Sequence, residues 1–208
     1  MAVFHNQNVW DNYYKSKNKV LKYPDENLVR IIEKLNVNEW KRTLDFGCGT
    51  GRHLLYLKEK KIPELYGIDF SYEVIKNNQK RYPEIQFLFY EINTPLPFKD
   101  NYFDAIICWG VLHYNSEDIR NFLLKEFYRI LKPDGFFIGT YRAKQDTHFK
   151  NSEIKDSEIY FFDENDIYKE LNKYFKNIQL GYMERTPIGN LKQKIAHYFF
   201  SCKKNLIL

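Results

Sequence analysis

The stretch RTLDFGCGTGRHL, residues 42–54, decides the fold of this chain. Its first five residues predict a short buried strand, and the leucines that follow predict a helix. Gly47, Gly49 and Gly51 lie between the two, where a side chain would block a ligand from the backbone and would disfavour positive φ. The spacing G-x-G-x-G differs from the dinucleotide-binding pattern G-x-G-x-x-G and from a phosphate loop ending in Gly-Lys-Ser/Thr.

The segments around this turn alternate between strand and helix patterns. Pro24 and Asp25 precede a helical spacing of leucine and isoleucine, and Ser71 is placed to cap a second helix. Further strands are predicted at 64–70, 85–92, 103–110 and 135–141, with helices at 119–131 and 164–171 and an antiparallel pair at 178–183 and 195–202. This alternation predicts an α/β fold with a doubly wound, mostly parallel sheet, whose ligands bind beyond the carboxyl ends of the strands.

Composition narrows the class of protein. The chain has 208 residues, 44% hydrophobic and 28% charged, which predicts one globular domain over 1–208 and excludes disorder and coiled coil. The net charge of +5 is scattered, so no nucleic-acid partner is expected. Three cysteines suit neither a disulfide framework nor a zinc site, and no metal is predicted. The sequence shows neither a signal peptide nor an apolar run long enough to span a bilayer, so we expect a cytoplasmic protein without membrane contact.

Three further motifs follow the glycine turn in order. Asp69 ends the second strand in YGIDFS, where a carboxylate can accept hydrogen bonds from two ribose hydroxyls. LPFKDNYFDAIICWGVLHY occupies residues 96–114, and LKPDGFFIGT occupies 131–140. With these four motifs the chain strongly resembles the class I S-adenosylmethionine-dependent methyltransferases, in their small-molecule branch. The resemblance is close over residues 40–141, and it implies a Rossmann-like sheet of seven strands with an antiparallel C-terminal strand pair.

The resemblance also implies S-adenosylmethionine as cofactor and assigns the residues around it. Asp69 would bind the ribose, and Glu91 and Ile92 would lie beside the adenine. At that point the chain departs from the family pattern, because the interval to Leu96 is one residue longer and isoleucine replaces a small residue. The residues that would neighbour the methionine portion are Asp45, Gly47, Cys48, Gly49, Cys108 and Trp109.

Candidate catalytic and substrate residues lie on either side of these motifs. His113 follows the fourth strand, where an imidazole with a pKa near ~6.5 would take a proton from a hydroxyl, although a role as a hydrogen-bonded bystander is equally open. Tyr14 is a second candidate base, and Tyr13 a substrate contact, in an N-terminal helical lid over 1–38; packing is the simpler role for this pair. Arg142 opens a substrate-side loop at 142–162 and could bind an anionic group, or belong to a solvated basic loop.

The sequence therefore predicts methyl transfer to an oxygen or nitrogen of a small molecule, for which a sugar or a phosphorylated precursor of a bacterial surface polysaccharide is one option. An anionic acceptor would suit Arg142 and the positive net charge. Other classes stay open: a nucleic-acid or protein methyltransferase, an aminopropyl-transfer enzyme, or a catalytically silent cofactor-binding protein. The oligomeric state is expected to be monomer or dimer.

Overall fold

A computed structural model describes residues 3–15, 21–150, 153–154 and 157–205. Its helices are α1 (Val3–Lys15), α2 (Glu26–Lys34), α3 (Arg52–Glu59), α4 (Tyr72–Arg81), α5 (Glu117–Ile130) and α6 (Glu164–Leu171). Its strands are β1 (Arg42–Phe46), β2 (Glu64–Asp69), β3 (Gln86–Phe89), β4 (Phe103–Cys108), β5 (Leu131–Arg142), β6 (Glu153–Ile154), β7 (Ser157–Glu158), β8 (Phe175–Arg185) and β9 (Ile195–Lys204). None of the described helices is long and apolar enough to cross a membrane.

Seven of the strands form one twisted sheet in the order β3-β2-β1-β4-β5-β9-β8. The first five run parallel, while β9 is antiparallel to both β5 and β8. The strand order reverses between β1 and β4, and at such a switch point the loops beyond the strands diverge and leave a crevice for a ligand. The predicted Rossmann-like fold with an antiparallel C-terminal pair is confirmed.

Two apolar cores cover the two faces of this sheet. One face packs against α2, α3 and α4, through buried residues such as Leu28, Leu54 and Ile75. The other packs against α5 and α6, through Phe127 and Leu171 among others. Side chains of a strand alternate between faces, so β4 supplies residues to both cores and reads as continuously apolar in the sequence.

Local signals in the sequence set most boundaries. Asp25 caps α2, with its carboxylate accepting from the Asn27 amide at 3.0 Å, and Ser71 caps α4. The sequence predicts a helix to residue 131 and a strand from residue 135. In the structure α5 ends at Ile130 and β5 begins at Leu131, because the register between β4 and β5 is irregular there.

The proposed N-terminal lid divides into two parts. Helix α1 contacts α4 and lies over the carboxyl ends of the strands, whereas the part of 1–38 that forms α2 is integral to the core, with Leu28 and Ile32 fully buried. Residues 1–2 and 16–20 of the predicted lid lie outside the described residues, as do 151–152 and 155–156 of the predicted loop. That loop is held at both ends, since Ala143 forms a bridge with Phe162.

Candidate active site

A cavity of about 590 Å³ opens at the carboxyl ends of the strands. Its floor is the glycine turn and the end of β2, its roof is α1, and its far wall is formed by β5, β8 and β9. The cavity contains most of the residues that the sequence singled out, namely Tyr13, Tyr14, Gly47, Cys48, Gly49, Asp69, Ile92, Trp109, His113 and Arg142. It is large enough for a nucleoside-sized ligand and part of a second molecule.

The glycine turn has the backbone conformation that the sequence predicts. Gly47, Gly49 and Gly51 have φ values of +74°, +50° and +77°, a region that residues with a side chain rarely adopt. A Cβ on Gly47 would lie 2.2 Å from the Val111 side chain, so the turn also requires glycine for close packing. Asn78 fixes the turn from beneath, because its amide donates to the Gly49 carbonyl at 2.7 Å.

Asp69 lies at the centre of the cavity floor. One carboxylate oxygen accepts from the Gly49 amide and the other from the Ser71 amide, both at 2.9 Å. Burial raises the pKa of this carboxyl to about 6, against the effect of those two hydrogen bonds and with a further contribution from the charges of Asp45 and Asp11. A carboxylate has about four acceptor positions, so two remain for hydroxyl groups.

Asp45 does not line the cavity; its carboxylate lies beneath the turn. Among the described residues neither of its oxygens has a hydrogen-bond partner, and Nδ1 of His53 lies 3.6 Å from one of them. A buried carboxylate without a partner is costly, so both oxygens are available to a hydrogen-bond donor or a cation.

Helix α1 closes the cavity through aromatic rings. The Tyr14 hydroxyl lies 2.7 Å from the position that a Cβ on Gly49 would occupy, directly over the glycine turn. The Trp10 ring meets the Tyr114 ring edge to face at 5.2 Å. Burial, followed by the charge of Asp69, raises the pKa of Tyr14 well above 10, so the phenol stays protonated. The protonated hydroxyl is a hydrogen-bond donor, and the role of Tyr14 as a base stays a prediction.

Two side chains of the turn fasten the segment after α1. The Thr50 hydroxyl donates to the Leu21 carbonyl at 2.8 Å, and the Arg52 guanidinium donates to the Tyr23 carbonyl at 2.9 Å. The segment that enters α2 is thereby tied to the glycine turn.

His113 is 1% exposed and reaches the cavity from the segment after β4. Its Nδ1 has no hydrogen-bond partner among the residues that the structure describes, and the imidazole forms a hydrogen bond with the backbone of Thr140. Burial, together with the charges of His197 and Arg142, lowers the pKa of His113 well below 6.5. The expected value near 6.5 is therefore wrong: the ring is neutral, and Nδ1 offers a lone pair rather than a charge.

Arg142 is buried and is held in place by Asp146, whose carboxylate accepts from Nε at 2.6 Å. Its Nη1 lies 3.4 Å from Nε2 of His197. Of the other basic residues of this loop, Lys144 pairs with Asp163 and Asp166 away from the cavity, and His148 pairs with Asp146. The structure therefore brings Arg142 alone of the three to the cavity.

Two further residues predicted to contact the cofactor do not line the cavity. Cys108 is fully buried on the opposite face of β4 from Trp109, because neighbouring strand residues alternate. Glu91 is exposed, since β3 ends at Phe89 and the chain then turns outward. Burial raises the pKa of the Cys48 thiol, in agreement with the absence of any expected nucleophilic role.

Sequence reasoning missed several residues of the cavity wall. His197 and Arg185 come from the C-terminal strands, more than forty residues after Thr140, the last motif residue that lines the cavity. The Thr140 hydroxyl accepts a hydrogen bond from the Gly110 amide at 2.8 Å. Alternation along β8 and β9 is visible in the sequence, but only the pairing with β5 shows which face meets the cavity.

Residues 44–139 match a family model described as a methyltransferase domain. Human mitochondrial arginine-hydroxylase NDUFAF5 is 36% identical over 97 residues, which cover 46% of this chain and 27% of that protein. A demethylmenaquinone methyltransferase of Geobacillus sp. (strain WCH70) is 30% identical over 112 residues, 50% of this chain and 46% of that protein. A bovine protein named probable tRNA methyltransferase 9B is 34% identical over 113 residues, 53% of this chain and 24% of that protein.

The fold has a close counterpart in a solved SAM-dependent methyltransferase of Thermotoga maritima. The two structures superpose with a TM-score of 0.71 at 19% identity, over 95% of this chain and 99% of the other. The chain spans between about a quarter and about a half of the length of the three curated relatives above.

A doubly wound sheet with a glycine turn at its switch point and a carboxylate at the end of the second strand defines a nucleoside-binding α/β protein. The family match and the solved neighbours make the assignment specific. Residues 44–139 match the methyltransferase domain, the fold is that of the class I S-adenosylmethionine-dependent methyltransferases, and S-adenosylmethionine is the cofactor of this domain.

The residues present fit this cofactor. S-adenosylmethionine carries an ammonium and a sulfonium, and the unpaired carboxylate of Asp45 lies beneath the turn where a cation would be stabilised. Asp69 has acceptor positions left for ribose hydroxyls. Among the described residues, no cluster of histidine, cysteine and acidic side chains could hold a metal ion.

Proposed function

We propose that this protein transfers the methyl group of S-adenosylmethionine to an oxygen or nitrogen atom of a small molecule. The observation that carries the proposal is the continuous cavity, which joins the glycine turn and Asp69 at one end to His113 and Arg142 at the other, under the roof of α1. An aromatic roof over an enclosed cavity suits a small acceptor better than a polymer.

The cofactor would lie along the floor of the cavity. Asp69 would accept hydrogen bonds from the ribose, and the methionine portion would lie along the glycine turn, where Gly47 and Gly49 line the cavity. Trp109 and Ile92 would contact the apolar surfaces of the ligand. When bound, S-adenosylmethionine supplies a methyl group already activated by the positive sulfur.

The residues of the far wall would align the acceptor. The lone pair on Nδ1 of His113 would accept a hydrogen bond from an acceptor hydroxyl or amine and fix the direction of its attacking pair. Methylation of a hydroxyl releases its proton, which would pass to that nitrogen. Tyr13, Tyr14 and Trp10 would exclude water from the reaction.

A hydroxylated acceptor is favoured by the neutral state of His113. The lone pair on Nδ1 can accept the hydrogen bond of a hydroxyl and then its proton, and a hydroxyl needs such a base more than a neutral amine does. A sugar or a phosphorylated sugar precursor fits this requirement and remains our proposed acceptor class.

A polymer acceptor is the alternative, and the names of two relatives, an arginine-hydroxylase and a tRNA methyltransferase, keep it in consideration. A nucleic acid would require a basic surface and steep salt dependence. A catalytically silent cofactor-binding protein and an aminopropyl transferase are further alternatives on this fold.

Calorimetry followed by a methyl-transfer assay tests the proposal. We expect S-adenosylmethionine and S-adenosylhomocysteine to bind the purified protein, and radiolabelled methyl to reach one member of a panel of sugars, sugar phosphates and amines. Binding of neither nucleoside would refute the function itself. Transfer to transfer RNA or to a protein, with none to any small molecule, would refute the acceptor class.

A further inference from the structure

The far wall of the cavity carries basic residues from three adjacent strands. Arg142 at the end of β5 is in register with His197 on β9, which in turn is in register with Met183 on β8. Arg185 lies two residues beyond Met183, and alternation places both on the same face. Arg142, His197 and Arg185 all line the cavity.

The contact between Arg142 and His197 determines which ring nitrogen of His197 carries the proton. A guanidinium only donates hydrogen bonds, so Nε2 of His197, at 3.4 Å from Nη1 of Arg142, must be the acceptor. In a neutral ring the proton is then on Nδ1, and that N–H is a donor. Burial and the charges of Arg142 and Arg185 lower the pKa of His197 to about 3, in agreement with a neutral ring in a positive field.

The acidic residues of the cavity have other partners. Asp25 caps α2, Glu26 pairs with Arg30, and Glu184 pairs with Lys194. The remaining carboxylate near this wall, Asp146, is engaged by Arg142, by His148 and by the Ala196 amide. The positive charge of Arg142 is thus compensated locally by a buried carboxylate.

Arg185 has no such compensation. Within the part of the chain that the structure describes, its guanidinium makes no hydrogen bond or ion pair, and it lies close enough to His197 and Arg52 to affect the pKa of each. An exposed arginine at the cavity mouth, next to a buried arginine and an N–H donor, completes a set of donors that converge on one region.

We propose that Arg142, His197 and Arg185 form an oxyanion subsite, which binds a carboxylate or phosphate carried by the methyl acceptor. This inference rests on the proposed function and adds the substrate feature that the site selects. The rings of His113 and His197 lie 5.5 Å apart, so the reacting hydroxyl and the anion of one small acceptor could engage both. Arg185, at the mouth, would determine specificity.

Calorimetry with inorganic phosphate tests the subsite, on protein saturated with S-adenosylhomocysteine and at constant ionic strength. We expect Arg185→Gln to raise the dissociation constant of phosphate about tenfold, the loss of one charge-assisted hydrogen bond. Arg185→Lys should lose less of the affinity for phosphate, because lysine keeps the positive charge. The matched control is Arg81→Gln, an exposed arginine at the end of α4, which should bind phosphate as the wild type does.

A parallel titration with acetate distinguishes the sources of the anion. Binding of phosphate but not acetate would support an acceptor that carries a phosphate ester. Binding of both phosphate and acetate would support a subsite for either kind of oxyanion. Equal binding by all four proteins, or none above a chloride background, would overturn the subsite. Because binding of S-adenosylhomocysteine is measured first, failure of the subsite is distinguishable from failure of the proposed function.

Discussion

Cofactor binding should weaken as the pH falls through the titration of Asp69. Burial raises the pKa of this carboxyl to about 6 in the protein without ligand. Ribose hydroxyls that donate to the carboxylate favour its ionised form, so the bound state should have a lower pKa. Only the ionised protein then binds well, and the affinity is lost at a pH below the free-state pKa.

The size of this effect follows from the fraction ionised. With a pKa of about 6, roughly one molecule in ten is ionised at pH 5 and almost all are at pH 8, so the dissociation constant should rise about tenfold between them. Titration calorimetry with S-adenosylhomocysteine at constant ionic strength measures this directly. His197 should not titrate in this range, because its pKa is lowered to about 3, and burial also lowers the pKa of His113 well below 6.5.

Two variants separate Asp69 from other groups. Asp69→Asn should weaken binding at pH 8 by tenfold or more and abolish the pH dependence. Asp11 accepts a hydrogen bond from the Ser71 hydroxyl and raises the pKa of Asp69, so Asp11→Asn should move the loss of affinity to lower pH. A constant affinity from pH 5 to 8, or an unchanged profile in Asp69→Asn, would refute the reasoning.

Three other predictions concern the turn, the core and the far wall. Gly47→Ala should cost about 2 kcal/mol more in urea unfolding than Gly110→Ala, because both have positive φ but only the first would place a Cβ against a neighbour; equal costs would contradict this. Arg120→Met should lower the free energy of unfolding by about 3–5 kcal/mol, because it leaves buried Glu170 without its cationic partner. The double variant Arg120→Met/Glu170→Met should recover much of this loss, and a loss below about 1 kcal/mol for Arg120→Met alone would disprove the argument. His113→Ala should lower turnover about 10²-fold with unchanged S-adenosylhomocysteine binding, and the wild-type rate should show no acid limb near pH ~6.5; wild-type turnover in the variant would exclude the role.

Much of the fold was accessible to sequence reasoning because its signals are local. A cap residue, a proline or a glycine acts within a few positions, and Asp163 to Leu171 shows this: a capping box starts α6 where the pattern predicted it. Helical and strand periodicities likewise need no tertiary partner. The exception, the start of β5, depends on the register with β4, which no local pattern encodes.

Only some of the residues that line the cavity could be predicted from the sequence. The glycine turn and Asp69 are adjacent through a strand pair that the motif order implies, and both lie in the cavity. Glu91 and Cys108 were assigned by position in a motif, yet one turns to solvent and the other to the core. A motif gives the position of a residue along a strand or turn. Whether its side chain faces the cavity, the core or solvent depends on where the strand ends.

The sequence alone determined the strand–turn–helix unit and the class of fold, because glycine at positive φ and a carboxylate at a strand end are chemical requirements met by a few residues, and its resemblance to a methyltransferase family implied the cofactor. Tertiary structure decided the protonation state of the reactive groups and the residues that surround them. His113 is neutral because burial and two basic neighbours from β5 and β9 disfavour its charge. Arg185 faces the same cavity only because β8 pairs with β9 across the sheet.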